Sequence, residues 1–331
     1  MRPTLLIDRS DRARIEISGA SAVATLNGLV TNDVAALRAG QGQYAAALTA
    51  KGKIVADMIV LMLGDRLQVH TSPAAAPGLR AMLTKFVNPR FAKLTDVSET
   101  TGDLTLVGPA AGALIERASG GTLSADATAA LPVFSHVDAL LASVAVMVVR
   151  LPSVGIENDD VFSVILPRDV AGVVGDALRG AGAVDADNDA METLRVESGF
   201  PAWGIDMDDT TLPQEANLDE MHAVSYTKGC YIGQETLARI HFRGHVNRTL
   251  RRLVFTEGVV PPRGAVLQDS EHRAVGDVRS TARSIARDEH GGALGIGMVR
   301  REIDDGQVLD VHWDGGATVA VVAGKARGAI D

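Results

Sequence analysis

The residues best suited to chemistry lie in the stretch Lys-Gly-Cys-Tyr-Ile-Gly-Gln-Glu at residues 228–235, called the octet below. It contains Cys230, the single cysteine of the 331 residues, and two glycines that permit backbone conformations closed to other residues. A thiolate is both a nucleophile and a metal ligand. The nearby charge of Lys228 could lower the thiol pKa from its ordinary value of about 8.5. The octet therefore predicts a loop that presents one functional thiol.

Cys230 has a simpler alternative, because free cysteines are often small buried apolar side chains. A catalytic cysteine normally needs a base, and the nearest histidines are His222, His241 and His245. His241 and His245 have the four-residue spacing of a helical metal pair, but Gly244 between them argues against such a site. We expect no metal site. The sequence also has no P-loop motif, so nothing supports nucleotide hydrolysis.

Glu197 is a second candidate. A buried carboxylate offers paired acceptors in one plane and can bind an amino-substituted heterocycle. The alternative is an ion pair between Glu197 and Arg195 or Arg239. Glu197 precedes residues 200–226, which are rich in Asp, Pro and Gly with little periodicity. Long connections of this kind are often functional loops.

Three units are expected to position these residues, and together they predict an α+β fold. Residues 1–100 predict a first α+β domain, with strands at 14–18, 44–48, 54–63 and 67–70 and helices at 21–29 and 75–86. Residues 101–246 predict a second α+β domain that includes the octet, with strands at 104–107, 143–151 and 161–166 and helices at 110–117, 170–180 and 190–199.

Residues 247–331 differ from the first two units, because short strands follow one another with almost no helical periodicity. The six strands are expected at 250–255, 265–268, 275–281, 293–299, 308–311 and 317–322. Such a pattern is typical of a small all-β barrel or sandwich.

The composition is that of an ordinary globular protein, with 46% apolar and 22% charged residues. One cysteine excludes an intrachain disulfide and a metal site made only of cysteines from this chain, and it fits a reducing compartment. The N-terminus lacks the apolar core of a signal peptide, and no apolar run approaches the ~20 residues of a membrane helix. We therefore expect a cytoplasmic protein that does not bind membranes.

The charge is negative overall but unevenly spread. A net charge of −9 argues against broad nucleic-acid binding, so no stable direct contact with nucleic acid is expected. Residues 236–256, however, contain no Asp or Glu and hold five arginines: Arg239, Arg243, Arg248, Arg251 and Arg252. They predict either a basic surface for an anionic ligand or partner, or solvated arginines on the outer face of a strand.

These motifs match a known family. The octet resembles that of the YgfZ-type folate-binding proteins, which are relatives of the glycine-cleavage T-protein, an aminomethyltransferase. Further matching segments are Arg-Val-Glu-Ser-Gly-Phe at 195–200, Gly-Ile-Asp at 204–206, Leu-Pro-Gln-Glu at 212–215, Gly-Leu-Val-Thr-Asn-Asp at 28–33, Tyr44, Lys-Gly-Lys at 51–53, Asp57 and Arg-Gly-His-Val at 243–246. The resemblance covers nearly the whole chain and is weakest around residues 118–140.

The resemblance implies a T-protein-like arrangement of three domains around a central cavity that holds tetrahydrofolate or a derivative. It aligns Glu197 with the carboxylate that contacts the pteridine and brings Cys230 near the opening. The other expected ligand contacts are Arg195, Asn32, Tyr44, Tyr231, Gln234 and Arg243. It also implies iron–sulfur proteins or assembly factors as partners, including enzymes that thiolate transfer RNA.

One difference from the T-protein makes aminomethyl transfer the less favoured function. T-proteins carry an Asn and then an Asp after the strand at 67–70, whereas residues 71–77 here contain no carboxylate. Positioned acid–base groups are typically worth ~10²–10⁴ in rate. The first expectation is therefore a folate-binding accessory protein for iron–sulfur cluster assembly or repair and for iron–sulfur-dependent transfer-RNA modification.

Two other functions stay open, and the sequence does not decide whether the protein is an enzyme. The second is an aminomethyltransferase or another folate-dependent one-carbon transferase. The third is a binding module in which the basic segment at 239–252 docks a protein partner.

Overall fold

The structure is a computed structural model that describes residues 2–155, 159–283 and 292–326. The strands are β1 (Leu5–Asp8), β2 (Ala13–Ser18), β3 (Gly42–Leu48), β4 (Ile54–Met62), β5 (Arg66–Thr71), β6 (Lys93–Asp96), β7 (Thr101–Val107), β8 (His136–Leu141), β9 (Val144–Val154), β10 (Asp159–Pro167), β11 (Val184–Ala186), β12 (Arg248–Phe255), β13 (Val266–Gln268), β14 (Ala274–Arg283), β15 (Ala293–Arg300), β16 (Val308–Trp313) and β17 (Gly316–Lys325). The helices are α1 (Ala22–Asn27), α2 (Ala76–Phe86), α3 (Ala111–Ala118), α4 (Ala125–Ala129), α5 (Ala171–Ala181), α6 (Asn188–Ser198) and α7 (Gln234–Arg243).

The first sheet has the order β3-β4-β5-β2-β6, with all neighbours antiparallel. Alternate residues such as Ile17 and Met58 point to one face, where they pack with Leu26 of α1 and Leu79 of α2. This period of two leaves the other face of the sheet free for polar residues. The α+β character predicted for this part of the chain is confirmed.

The second sheet has the order β11-β1-β7-β10-β9-β8. Its apolar face, which includes Leu106 and Phe162, packs on α3 and α5 through Leu114 and Leu178. Strand β1 pairs antiparallel with β7 and parallel with β11, so the first strand of the chain belongs to this sheet. The domain boundaries after residues 100 and 246 stay predictions.

The third unit is a closed barrel of order β12-β15-β14-β13-β16-β17. Inward side chains such as Leu253, Phe255 and Val311 form its core. The six strands expected from residues 247–331 are therefore confirmed, as is the choice of a barrel rather than a sandwich.

A buried ion pair joins the two sheets. Arg14 of β2 is fully buried and donates from Nη2 to Oδ2 of Asp103 in β7 at 2.8 Å. The other carboxylate oxygen of Asp103 accepts hydrogen bonds from Thr105 at 3.0 Å and from Ser163 at 2.7 Å. The polar faces of the two sheets are therefore held together by charge-assisted hydrogen bonds.

Replacing Asp103 by asparagine is expected to destabilise the protein by about 3–5 kcal/mol, because Arg14 would become a buried charge without a counter-ion. Urea unfolding measures the effect. Asp185→Asn is the matched control, since Asp185 pairs with Arg179 at the surface and such pairs are worth about 0–1 kcal/mol. Equal losses in the two variants would contradict a special role for the buried pair.

The arginine-rich segment corrects one expectation. Arg239 and Arg243 lie on α7, not on a strand, and Arg251 and Arg252 of β12 are partly or wholly buried. Arg251 donates to the carbonyl of Ile303 at 2.7 Å. The expected outer strand face of solvated arginines is therefore wrong for most of this segment. No helix in the described part of the chain has the length and apolarity needed to cross a membrane.

Candidate functional site

The octet packs tightly against the turn between β3 and β4. Gly233 has a φ of +86° immediately before α7, and a Cβ there would lie only 2.6 Å from the carbonyl oxygen of Thr49. Gly52 in the facing turn has a φ of +78°, and a Cβ there would lie 3.0 Å from Thr236 and Leu237. Glycines on both sides therefore permit the close approach of the octet to the first domain.

Lys228 anchors the other end of the octet. Its Nζ donates hydrogen bonds to the carbonyls of Asn27, Val30 and Asn32 at 2.6, 2.8 and 2.7 Å. Burial lowers the pKa of Lys228 from 10.5 to about 8, and the charge of Asp33 opposes this shift. The three donors of the ammonium group are directed at backbone carbonyls, so Lys228 positions the octet on the end of α1.

Replacing Lys228 by methionine is expected to cost about 3 kcal/mol of stability, because three buried carbonyls lose their donor. Chemical denaturation measures this loss. Lys85→Met is a control on an exposed lysine of α2 and should change stability by less than about 0.5 kcal/mol. A methionine variant as stable as the wild type would show that the three hydrogen bonds contribute nothing net.

The lowered pKa of Lys228 predicts that the stability of the protein depends on pH. Because its pKa is lower in the folded protein than in the unfolded chain, the unfolded chain binds more protons between pH 8 and 10.5. The part of the contribution of Lys228 that depends on deprotonation is therefore fully present above pH 10.5 and is lost as pH falls through 8, whereas the hydrogen bonds of the protonated group contribute below pH 8 as well. The stability difference between wild type and Lys228→Met should widen from pH 8 to 10.5, and a constant difference would contradict the lowered pKa.

Cys230 is exposed on the loop between these two anchors. This exposure excludes the alternative in which the cysteine is a small buried apolar side chain. Within the described residues no group of three or more His, Cys, Asp or Glu side chains could hold a metal ion. The thiol is thus available to a molecule that approaches from outside.

A polar row crosses the inner face of the first sheet. Strand register places Tyr44, Ile59, His70 and Arg14 directly beside one another on β3, β4, β5 and β2. The Tyr44 hydroxyl donates to Oδ2 of Asp57 at 2.8 Å, while Oδ1 of Asp57 is buried without a partner in the described chain. Burial raises the pKa of Asp57, although the hydrogen bond from Tyr44 opposes the shift.

His70 presents a free acceptor in this row. Gln68 donates its amide to Glu16 at 3.2 Å, so its Oε1 accepts from Nε2 of His70 at 2.6 Å. Burial, with Arg14 and Arg12, lowers the pKa of His70 well below its usual 6.5. The ring is neutral at pH 7, and its Nδ1 has no hydrogen-bond partner among the described residues.

Arg12 lies beside the same groups. Its charge acts on the pKa of Tyr44, Asp57 and His70, although burial has the larger effect on each. The half-buried guanidinium has no side-chain hydrogen bond or ion pair among the described residues. Sequence reasoning missed Arg12 and His70. For His70 the one available signal was its alternation with apolar neighbours on the predicted strand at 67–70, whereas Arg12 lies outside the predicted strands.

Glu197 lies on α6, just before an aromatic residue that contacts this row. It is 2% exposed near the end of α6, and its backbone carbonyl accepts from Arg252 at 2.9 Å. Phe200, three residues later, has its ring centroid 5.6 Å from that of Tyr44. Nearby, the Trp203 indole nitrogen is buried without a partner in the described chain. The Glu197 carboxylate itself lies beside Gly155, just after β9, where an added Cβ would be 3.6 Å from its Oε2.

Arg195 has a different setting from the one expected. Its guanidinium donates to Asp206 at 2.7 Å, to Ser280 of β14 at 2.7 Å and to Glu192 at 2.5 Å. Burial raises the pKa of the fully buried Asp206, and Arg195 opposes this shift. Arg195 therefore joins α6, the long loop and the barrel. The sequence suggested an ion pair between Arg195 and Glu197. In the structure the ion pairs of Arg195 are with Glu192 and Asp206.

The remaining residues that the resemblance predicts to contact the ligand lie in different settings. Asn32 donates to the carbonyls of Tyr44 at 2.8 Å and His222 at 2.7 Å, so it ties β3 to the loop that precedes the octet. Tyr231 is buried in the apolar cluster that contains Tyr44, and its hydroxyl has no partner in the described residues. Gln234 begins α7 and Arg243 ends it, which separates them by roughly 13 Å. The structure does not bring Arg243 to the polar row.

The unpartnered atoms test whether a folate-type ring could fit. Such a ring carries both N–H donors and acceptor atoms. A buried acceptor without a partner is Oδ1 of Asp57, and buried donors without partners are Nε1 of Trp203 and the hydroxyl of Tyr231. Buried polar groups are nearly always hydrogen-bonded, so these three atoms fit a missing heterocycle.

The space between the sheets also contains a groove, whose lining does not include Asp57, Trp203 or Tyr231. This groove of about 630 Å³ is lined by Glu16 and Gln68 of the first sheet and by His136 and Met147 of the second. Gln68 connects this groove to His70 by their hydrogen bond. The groove lies at the far end of the polar row from the octet.

Comparison with known proteins finds one family and several relatives of the same kind. The GCVT N-terminal domain family matches residues 3–227, so its match ends just before the octet. A "tRNA-modifying protein YgfZ" of Sodalis glossinidius is 30% identical over 75% of this chain and 70% of its own length. A protein of the same name from Yersinia pestis is 28% identical over 80% of this chain and 76% of its own length.

Two other relatives are aminomethyltransferases. The enzyme of Geobacillus kaustophilus is 30% identical over 90% of this chain and 79% of its own length. The crystal structure of the glycine cleavage system aminomethyltransferase T from Bartonella henselae superimposes with a TM-score of 0.82 at 23% identity, over 98% of this chain and 88% of that one. At that identity the likeness concerns the fold.

Proposed function

Because this chain belongs to the GCVT N-terminal domain family, as a YgfZ-type protein related to the T-protein, we propose that it binds tetrahydrofolate or a derivative and supports transfer-RNA modification. Its role there is to assist the assembly or repair of iron–sulfur clusters in partner proteins. The folate binds between the two sheets. The exposed thiol of Cys230 contacts the partner.

One observation carries the folate half of the proposal. Buried atoms without partners lie on or near the polar row, at Asp57, Trp203 and Tyr231, close to the aromatic contact between Tyr44 and Phe200. Bound folate would supply a conjugated ring with complementary hydrogen-bonding edges. The residues of this chain would orient that ring, and the aromatic side chains of Tyr44 and Phe200 would exclude water from it.

The proposed role of Cys230 rests on two observations: the side chain is exposed, and the chain has no second cysteine. Cys230 is the single cysteine of the chain, so a disulfide or an iron–sulfur cluster would have to be shared with another molecule. A thiolate is a good ligand for iron in such a cluster. The partners are therefore expected to be iron–sulfur proteins or assembly factors. The cytoplasmic location stays a prediction from composition.

Isothermal titration calorimetry with tetrahydrofolate tests the folate half directly. We expect saturable one-site binding. p-Aminobenzoylglutamate, which lacks the pteridine ring, should bind at least about tenfold more weakly because it cannot satisfy the buried atoms. If the wild-type protein gives no heat with tetrahydrofolate under anaerobic conditions, the folate proposal fails.

A second candidate is aminomethyl transfer, favoured by the relative that matches 90% of the chain. Against it, residues 71–77 supply no carboxylate, and the nearest carboxylate in the polar row, Asp57, is bound by Tyr44. Formation of methylenetetrahydrofolate from an aminomethylated lipoyl carrier is the test. We expect no formation above background, and catalytic turnover would reverse the order of the two candidates.

A further inference from the structure

An exposed basic and aromatic surface lies where α7 ends and the barrel begins, and the folate site does not use it. Its residues are Phe242, Arg243, Arg248, Arg300 and Arg301, called the arginine surface below. Phe242 is 67% exposed, the largest value among the exposed large apolar side chains in the described part of the chain. A phenylalanine so exposed, followed directly in sequence by the exposed Arg243, indicates a contact surface.

Three of these arginines line one pocket. The pocket has a volume of about 350 Å³ and is formed by Asn247, Arg248, Arg300, Arg301 and Glu302. Arg248 and Arg300 lie directly opposite each other on β12 and β15, an arrangement that is unfavourable for like charges unless an anion lies nearby.

The carboxylates near this pocket do not pair with all of the arginines. Arg248 pairs with Glu215 at 2.9 Å, and Arg300 makes a weaker, exposed contact with Glu302 at 3.4 Å. Arg301 and Arg243 have no ion pair among residues 2–155, 159–283 and 292–326. Guanidinium groups match the oxygens of a phosphate with two parallel hydrogen bonds each. The pocket therefore suits a phosphate group.

An aromatic stack joins the end of α7 to the residues just before the octet. Tyr226, just before the octet, stacks on His241 of α7 with ring centroids 3.8 Å apart and planes inclined by 17°. Phe242 meets His241 edge-on at 4.8 Å. These contacts fix the end of α7 while a large part of the Phe242 ring stays open to solvent. An open aromatic ring on a surface that also carries arginines is the usual platform for an unpaired base.

We propose that the arginine surface binds a short single-stranded segment of RNA, with a phosphate in the arginine pocket and a base on Phe242. The choice of RNA over other polyanions rests on the proposed role in transfer-RNA modification. The net charge of −9 confines the contact to this surface, since the rest of the molecule repels a polyanion. This local binding revises the expectation of no stable contact with nucleic acid.

Fluorescence anisotropy with a labelled, unstructured 12-nucleotide RNA tests the proposal on the full chain. With about three phosphates neutralised, log K against log salt concentration should have a slope of about −2 between 50 and 200 mM. Arg301→Gln should reduce the magnitude of this slope by about 0.7, because one contact is lost. Phe242→Ala should weaken binding about tenfold without a change in slope.

Arg90→Gln and Phe91→Ala are the matched controls. Arg90 is exposed and Phe91 is 60% exposed, but both lie in the turn before β6. The controls should bind RNA as the wild type does. No binding at 50 mM salt, or equal loss in the controls, would overturn the proposal. Displacement of the RNA by polyglutamate as readily as by unlabelled RNA would do so as well and would indicate an acidic protein partner.

Calorimetry with tetrahydrofolate separates this proposal from the folate site. Arg301→Gln and Phe242→Ala should bind tetrahydrofolate with unchanged affinity, because neither residue belongs to the polar row. If RNA binding is absent while folate binding persists, the arginine surface has another role and the folate proposal stands. If RNA binds without folate, the folate proposal alone fails.

Discussion

Replacement of Cys230 by alanine will leave the fold intact and abolish the ability of the protein to restore iron–sulfur enzyme activity in cells that lack it. The fold should survive because the side chain is exposed, and surface substitutions usually change stability by less than about 0.5 kcal/mol. The function should be lost because no other cysteine in the chain can replace the thiol. Complementation of a deletion strain, read out as the activity of an iron–sulfur enzyme, measures the effect.

Thr227→Ala is the control for this experiment. Thr227 lies in the same loop, is exposed, and makes only a weak contact of 3.5 Å with Ser225. This variant should restore activity fully, which would separate loss of the thiol from a general disturbance of the loop. Full rescue by Cys230→Ala would refute a functional thiol, whatever the folate affinity of the protein.

Replacement of Glu197 by glutamine is expected to weaken tetrahydrofolate binding by about 10- to 150-fold. Glutamine keeps the shape of the side chain but replaces a charged acceptor by a neutral one, and hydrogen bonds to charged groups are worth about 1.5–3 kcal/mol. Calorimetry on the purified variant measures the change. Thermal unfolding without ligand should be recorded beside it, so that altered stability is not read as altered binding.

Glu192→Gln is the matched control for Glu197. Both residues lie on α6, but the side chain of Glu192 is 43% exposed and bonds to Arg195. Its substitution should leave the affinity for tetrahydrofolate within about twofold. If Glu197→Gln binds as tightly as the wild type, the role that the resemblance assigns to Glu197 is wrong.

The sequence predicted the barrel well, because its six strands alternate regularly between clear turns. It missed β8, because the hairpin between β8 and β9 turns at Ala142 and Ser143 with positive φ values of 48° and 65°. These residue types give no turn signal, since such conformations favour glycine or asparagine. Helix α7 was also missed, because Leu237 is its one buried residue and a glycine precedes it in place of a capping side chain.

The site was predicted in part. Sequence motifs singled out the octet, Glu197 and Tyr44, because each stands in a recognisable segment. A motif identifies a residue but does not show where its side chain points. Lys228, expected near the thiol, binds three carbonyls of the first domain instead. His70 joins Tyr44 through strand register alone, which sequence does not reveal when the pairing of β4 with β5 is unknown.

The two anchors of the octet have a consequence for the speed and strength of association. A loop that orders only on binding loses conformational entropy at that moment, at about 1–2 kcal/mol for each residue fixed. Here Lys228 and Gly233 hold both sides of Cys230 before any partner arrives. The loop is therefore preorganised, so a partner meets the thiol in a nearly fixed position. Even a small and short-lived contact could then suffice for exchange at the sulfur.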